Sequence, residues 1–320
     1  MTVRPDSTSW AIVALVAGGM AAPLVVTNEY YLQVLTLGYI WAIAACGLNV
    51  ILGFAGQLSL AHAGFFGIGA YTAALLATDR GLSSWIALPV AVALSALAGH
   101  AIGTLCLRSK GHYFAIFTLA VGIIIHLVIQ KWEWLTHGHI GVVGIPAAFE
   151  NSAARCYLVL AFLLLSMALC SRLLHSRLGR MLLAVRESES LAASVGIDVM
   201  RTKRTAFTLS AALAGLAGAL YASYIGYLGP EVSSVEITFN VLLYVMVGGV
   251  GSTWGPLAGT FIVYGPSQVL QVVQDYQMIV FGAALVLLII YLPEGLAGAM
   301  RRTRRRSHAA PVVRVAEELW

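Results

Sequence analysis

GLNVILGFAGQLSLAHAGFFGIGAY, residues 47–71, decides how this chain is read. It is apolar enough for a bilayer, yet it is dense in glycine and carries Asn49, Gln57, Ser59 and His62. A lipid-facing anchor needs none of these. Polar groups at membrane depth are expensive and normally face a protein interior or a water-filled path. Glycine interruptions at that depth survive where neighbouring helices or a cavity re-satisfy the backbone. The stretch reads as part of a conduit.

The rest of the chain has the same character. Of its 320 residues 59% are hydrophobic and 10% charged, against about 25% charged in a soluble domain. The expectation is an all-α polytopic membrane protein. About ten apolar segments are read at 9–27, 31–53, 57–78, 84–107, 112–130, 153–171, 205–228, 238–250, 256–273 and 277–293. The eighth is short and reads as a broken or half-spanning helix. The first follows Arg4 and reads as an uncleaved helix, because membrane segments follow it. Cys46, Cys106, Cys156 and Cys170 show no metal spacing and read as small buried residues.

Basic residues orient the bundle. With both termini in the cytoplasm, Arg4, Arg108, Lys110, the loop 172–204 and the arginine-rich tail face inward, and only Arg80, Lys131 and Arg155 face outward. Cytoplasmic enrichment of Lys and Arg is the rule for short membrane loops. The net charge of +5 is therefore topological, and nucleic acid is not an expected partner. Residues 1–300 read as one transmembrane domain with a cytoplasmic loop at 172–204. Residues 301–320 read as a basic tail whose arginines orient the chain and can touch anionic lipid.

Two glycine-rich hairpins occupy similar places. One turns near Gly53–Gln57; the other is VGGVGSTWGPLAGT, residues 247–260. Gly251, Gly255 and Gly259 at i, i+4 and i+8 would form one smooth helix face for close packing. The pair suggests two loosely related halves, as in many transporters. In the loop, Leu191, Ala192 and Val195 would give a helix over 187–195 one apolar face, with Gly196 ending it. A passive surface connector and a docking helix both fit that pattern.

The candidate path residues are Asn49, Gln57, Ser59, His62, Tyr113 and Thr118. Each has a competing reading. His62 and Asn49 serve equally as helix–helix hydrogen bonds, and packing explains Tyr113 and Thr118. His100 and His126 read as structural, and Trp132-Glu133-Trp134 as interfacial belt. An ion-coupled secondary transporter would call for an acidic residue inside the membrane, and the carboxylates fall at segment ends or in loops. A membrane enzyme would need a paired acid and base, a metal cluster or an activated nucleophile, and no such constellation is written here. A channel would not need the loop at 172–204.

The chain resembles the LivM type of permease from branched-chain amino acid ABC importers, over roughly residues 31–295. The motifs that carry the resemblance are residues 47–71, GHYFAIFTLAVGIII at 111–125, the loop 179–222 and residues 247–260. Thr136-His137-Gly138 departs from the family's Thr-Gly-Gly, while Gly141, Gly144, Ile145 and Pro146 agree. The resemblance implies a permease of the bacterial inner membrane, importing branched-chain amino acids by alternating access. Urea, other amino acids and aromatic acids are alternative substrates. It implies a second homologous permease, two cytoplasmic ATP-binding subunits and an extracytoplasmic binding protein as partners. It implies that Glu187, Glu189, Ala192, Ala193 and Gly196 couple to the ATPase, in a degenerate Glu-Ala-Ala…Gly motif. The chain has three lysines and no G-x-x-x-x-G-K-[ST] loop. It is therefore expected to bind no cofactor and to be no enzyme, with ATP and magnesium used by its partners.

Overall fold

The structure, a computed structural model, describes residues 28–269 apart from Lys110, Ala147, Ala148 and Glu150. The expected segments 9–27 and 277–293, the end of 256–273 and the tail lie outside the described residues. Nearly everything described is helical. Helix α1 runs Glu29–Asn49 and passes into a π-turn, Val50–Phe54. Then come α2 (His62–Thr78), α3 (Ser84–Cys106), α4 (His112–Lys131) and α5 (Ser152–His175). Two short helices follow, α6 (Arg177–Glu187) and α7 (Glu189–Ser194). After them come α8 (Val199–Ile225), α9 (Val235–Gly248) and α10 (Gly255–Val269). Among the described residues the only sheet is a two-residue ribbon. β1 (Val142–Val143) pairs antiparallel with β2 (Tyr227–Leu228), Val142 opposite Leu228.

Five helices are long and apolar enough to cross a membrane: Glu29–Phe54, α3, α4, α5 and α8. The 14-residue α9 reaches only about 21 Å at the usual rise, against an apolar core of about 30 Å. It is short, as expected.

Burial separates centre from periphery. In α1 and α8, 78% and 72% of the most apolar window is buried; in α3, α4 and α5 the share is 28%, 22% and 33%. Lipid is as apolar as leucine, so helix association inside it relies on close packing rather than on escape from water. The composition of α8 supplies that packing. Its buried run Leu213–Leu220 alternates alanine, glycine and leucine. An added Cβ on Gly215 would collide with Ser95 of α3. One on Gly218 would collide with the Phe66 carbonyl of α2, and one on Gly69 with Gly215 itself. Leu97, Ile116 and Leu165 project outward from the peripheral helices.

The antiparallel helices define two ends. One holds the β-ribbon, the Asp79–His137 pair and the contact of Trp85 with Phe149. The other holds the π-turn, α6, α7 and the turn between α9 and α10. His137 is the one described non-glycine residue with positive φ (60°), at the position where the family pattern has glycine.

Three local expectations are corrected. The segment expected from residue 57 is not helical until His62, because residues 55–61 form an irregular link whose Gln57 N–H bonds back to the Ile51 carbonyl. The helix expected over 187–195 is broken at Ser188. There the backbone is extended and the hydroxyl accepts from the Leu191 N–H, starting a new helix. Gly251 is not on the helix face of Gly255 and Gly259. It sits in the preceding turn at φ 81°.

Candidate functional site

The two glycine-rich turns meet. Asn49, buried at the end of α1, donates from Nδ2 to the Ser252 carbonyl (2.8 Å), and its Oδ1 accepts from the Gly251 N–H (2.8 Å). Both halves of the amide are thus used, which satisfies backbone groups that a turn within the membrane would otherwise leave bare. The α9–α10 turn also holds itself. Ser252 donates to the Gly249 carbonyl and accepts from the Gly255 N–H.

A third element reaches the same spot. Arg186, on the last turn of α6, donates from Nη1 to the Gly53 carbonyl at 2.5 Å. Its aliphatic stem packs where Gly56 leaves room, and its guanidinium lies against Gly251. That carbonyl is available because Gly53 lies near the end of the π-turn, where no intrahelical N–H follows to pair with it. Such turns recur at functional sites. One arginine therefore ties the loop 172–204 to both hairpins. Sequence reasoning did not single out Arg186, and a basic residue in a basic loop carries no local signal of such a contact.

The irregular link 55–61 is braced from two sides. Thr118, fully buried on α4, accepts from the Leu60 N–H (3.0 Å) and donates to the Ala115 carbonyl (3.0 Å). His62 bonds through Nε2 to the Ala44 carbonyl of α1 (2.8 Å). Thr238 of α9 accepts from the Ala63 N–H (3.0 Å), holding the start of α2. Asn49, Ser59, His62 and Thr118 are all buried, and Gln57 is partly so. Tyr113 stands apart: it is 77% exposed, on the outer surface of α4, and lines no interior path of this chain. His126, read as structural, bonds through Nδ1 to Ser233 Oγ at 2.9 Å.

On the loop, α7 is anchored by a buried cation. Lys203 of α8, its side chain 3% exposed, pairs with Glu189. Ala192 is buried beneath the helix, whereas Ala193 and Glu187 are exposed. Leu191 and Val195 point outward at 67% and 72% exposure. The helix ends in a Schellman pair, Ile197 N–H to Ala192 carbonyl and Gly196 N–H to Ala193 carbonyl, with Gly196 at φ 85°.

The comparisons agree with this architecture. The profile of the family described as "Branched-chain amino acid transport system / permease component" matches residues 30–289. The chain is 34% identical over 314 residues to the high-affinity branched-chain amino acid transport system permease protein LivM of Escherichia coli K12. That match covers 89% of this chain and 74% of that protein. The LivM protein of Salmonella typhimurium is 33% identical with the same coverage. LivH of the same species is 25% identical over 298 residues, covering 84% of this chain and 96% of its own. No solved structure matches. Membrane-length helices, hydrogen-bonded turns at their ends and a profile match over most of the length lead to one conclusion: the chain belongs to the branched-chain amino acid transport permease family and is a multi-pass inner-membrane transport subunit.

Proposed function

We propose that this permease is the LivM-type subunit of an ATP-driven importer for leucine, isoleucine and valine. It pairs with a second, homologous permease. Two cytoplasmic ATP-binding subunits dock on the loop 172–204, and an extracytoplasmic binding protein delivers substrate. The substrate class rests on the names of the relatives, LivM and LivH.

The observation that carries the reading is the Arg186 contact. A push on α6 or α7 reaches Gly53 and Gly251 directly, and thus both turns joined by Asn49. The exposed Leu191 and Val195 of α7 offer an apolar surface for the ATPase, and the ATPase brings its own nucleotide and magnesium. A ligand shifts such an equilibrium only through contacts that differ between the two states, and this loop is where those contacts would change.

Orientation follows from charge. The end carrying α6 and α7 holds Arg108, Arg172, Arg177, Arg180, Arg186, Arg201, Lys203 and Arg204; the ribbon end holds Arg80, Lys131 and Arg155. The first end is cytoplasmic by the positive-inside rule. With one further span on each side of the described residues, both termini lie inside and the count reaches ten. The two paired turns support two related halves. Residues 1–300 then form one permease domain and 301–320 a cytoplasmic tail.

Proteoliposomes holding the permease pair, the ATPase subunits and the binding protein are expected to take up leucine only with ATP inside the ATPase compartment, with valine and isoleucine competing. Uptake driven by a proton gradient without ATP would refute the reading. Cysteines placed at His139 and His175 in a cysteine-free background are expected to label from outside and inside respectively. Equal labelling of both from outside would overturn the topology.

A further inference from the structure

At the ribbon end, away from the paired turns, an open, shallow crevice lies between α3, α5 and the end of α8. Its lining includes Arg155, Trp85, Leu88, Leu158, Ser223 and Tyr224. The depth is uniform: Trp85 is in the first turn of α3, Arg155 at the start of α5 and Tyr224 in the last turn of α8. All three helices are long enough to span, so their ends mark the membrane–water boundary.

Arg155 is poorly served where it stands. Its Nη2 donates to Ser152 Oγ (3.1 Å), and its guanidinium lies 5.3 Å from the centre of the Tyr224 ring. Its Nε–H is buried and has no partner, and the arginine forms no salt bridge with any described residue. A buried donor left without an acceptor is costly, and a guanidinium is built to take a tetrahedral oxyanion through two donors. Below it the walls turn apolar, with Leu88, Leu158, Val159 and Leu220. Trp85, half exposed, stands at the mouth.

We propose that this crevice binds one anionic phospholipid of the outer leaflet, its phosphate on Arg155 and an acyl chain along Leu88 and Leu158. Three features of the site select a lipid over a free anion. Two of the three lining helices, α3 and α5, are the peripheral ones whose apolar surface is mostly exposed. For about one helical turn below the cation the walls are apolar, Leu88, Leu158, Val159 and Leu220, as the start of an acyl chain requires. The cation lies at the helix-end level, beside Trp85, an aromatic of the kind that sits at headgroup depth. A substrate carboxylate would gain nothing from walls that face away from the paired turns.

The test uses the full-length chain in neutral detergent, read by native mass spectrometry and by thermal midpoint. Phosphatidylglycerol is expected to bind saturably and raise the midpoint, while inorganic phosphate and leucine do neither. Arg155→Gln is expected to weaken phosphatidylglycerol at least about tenfold, the usual size of a lost charge-assisted bond, and Arg155→Lys to fall between. Leu158→Trp fills the crevice without touching the cation and is expected to weaken the lipid as well, so the test stands even if Arg155→Gln fails to fold. Wild-type affinity in a folded Arg155→Gln or in Leu158→Trp overturns the proposal. So does a midpoint shift by inorganic phosphate equal to that of the lipid, which would mean a free-anion site. Displacement of the lipid by leucine would mean a substrate site and would also overturn it.

Discussion

Gly53→Ala tests the junction of the two turns where it has least slack. An added Cβ would lie 2.6 Å from the Gly251 nitrogen and 2.8 Å from its Cα, and nearer still to Asn49 Oδ1. The first two are backbone, and the third belongs to an amide held by two hydrogen bonds. None can swing aside as a flexible chain end would. Overpacking of this kind costs about 1–3 kcal/mol. Moving Asn49 also unpairs the Gly251 N–H or the Ser252 carbonyl, at about 1–3 kcal/mol for a buried group left bare. The sum is about 2–6 kcal/mol. The control is Gly265→Ala on α10, whose added Cβ meets nothing within 4 Å; Pro266 follows it and disfavours a helical alanine, which offsets the usual propensity gain of about 1 kcal/mol. Cys46, Cys106, Cys156 and Cys170 are all buried, so a thiol-reactive fluorophore reports unfolding without an added label. At about 2–4 °C per kcal/mol, Gly53→Ala should melt on the order of 10 °C below wild type, and Gly265→Ala close to it. If Gly53→Ala melts within about 2 °C of wild type and transports normally, the turns are not packed as described and the role given to Arg186 falls with them.

Gly196→Val meets no neighbour within 4 Å but must adopt φ near 85°, which valine strongly disfavours. The purified assembly is expected to keep basal ATP hydrolysis while losing both stimulation by loaded binding protein and uptake; persistence of both would make Gly196 a passive linker. Gly255→Leu drives a side chain into Ser252 and the Gly249 carbonyl and should abolish uptake; normal insertion with wild-type uptake would place that face in open space. Glu189→Ala strands the Lys203 ammonium, a loss of about 1–3 kcal/mol once the partial exposure of Glu189 is discounted. Adding Lys203→Met should restore most of the midpoint, and a single variant as stable as wild type would show the pair to be inert.

The spans of α1, α3, α4, α5 and α8 could be read from apolar runs alone, because a bilayer leaves a long apolar segment few other fates. The break at 55–61 could not. Gln57 and Ser59 are diluted by leucine and alanine in any window long enough to reveal a span. The break at Ser188 was legible in principle, since a serine three residues before Leu191 is an N-cap pattern. It was masked by the good helix formers around it. The exposure of Tyr113 could not be read from sequence: a helix that is apolar all round carries no polar stripe to tell its inner face from its outer one. The polarity of Asn49 was plain, but its partners lie about 200 residues away in sequence, and nothing local names them. Arg186 and Gly53 are hidden from each other in the same way.

The glycine seams of α8 bear on how this protein can move. Where α8 meets α2 and α3, backbone nearly touches backbone or small side chain at Gly69, Gly215, Gly218 and Gly99. Such a seam cannot shear. A slide of a few tenths of an ångström brings atoms into collision, and packed interiors switch between arrangements rather than deforming smoothly. The three helices therefore travel as one rigid block. The displacement that alternates access is left to the hydrogen-bonded joints, where Asn49 and Arg186 hold single carbonyls and N–H groups that can exchange partners. The hinge then lies at these joints, and the block swings as a lever whose far arm ends at the ribbon.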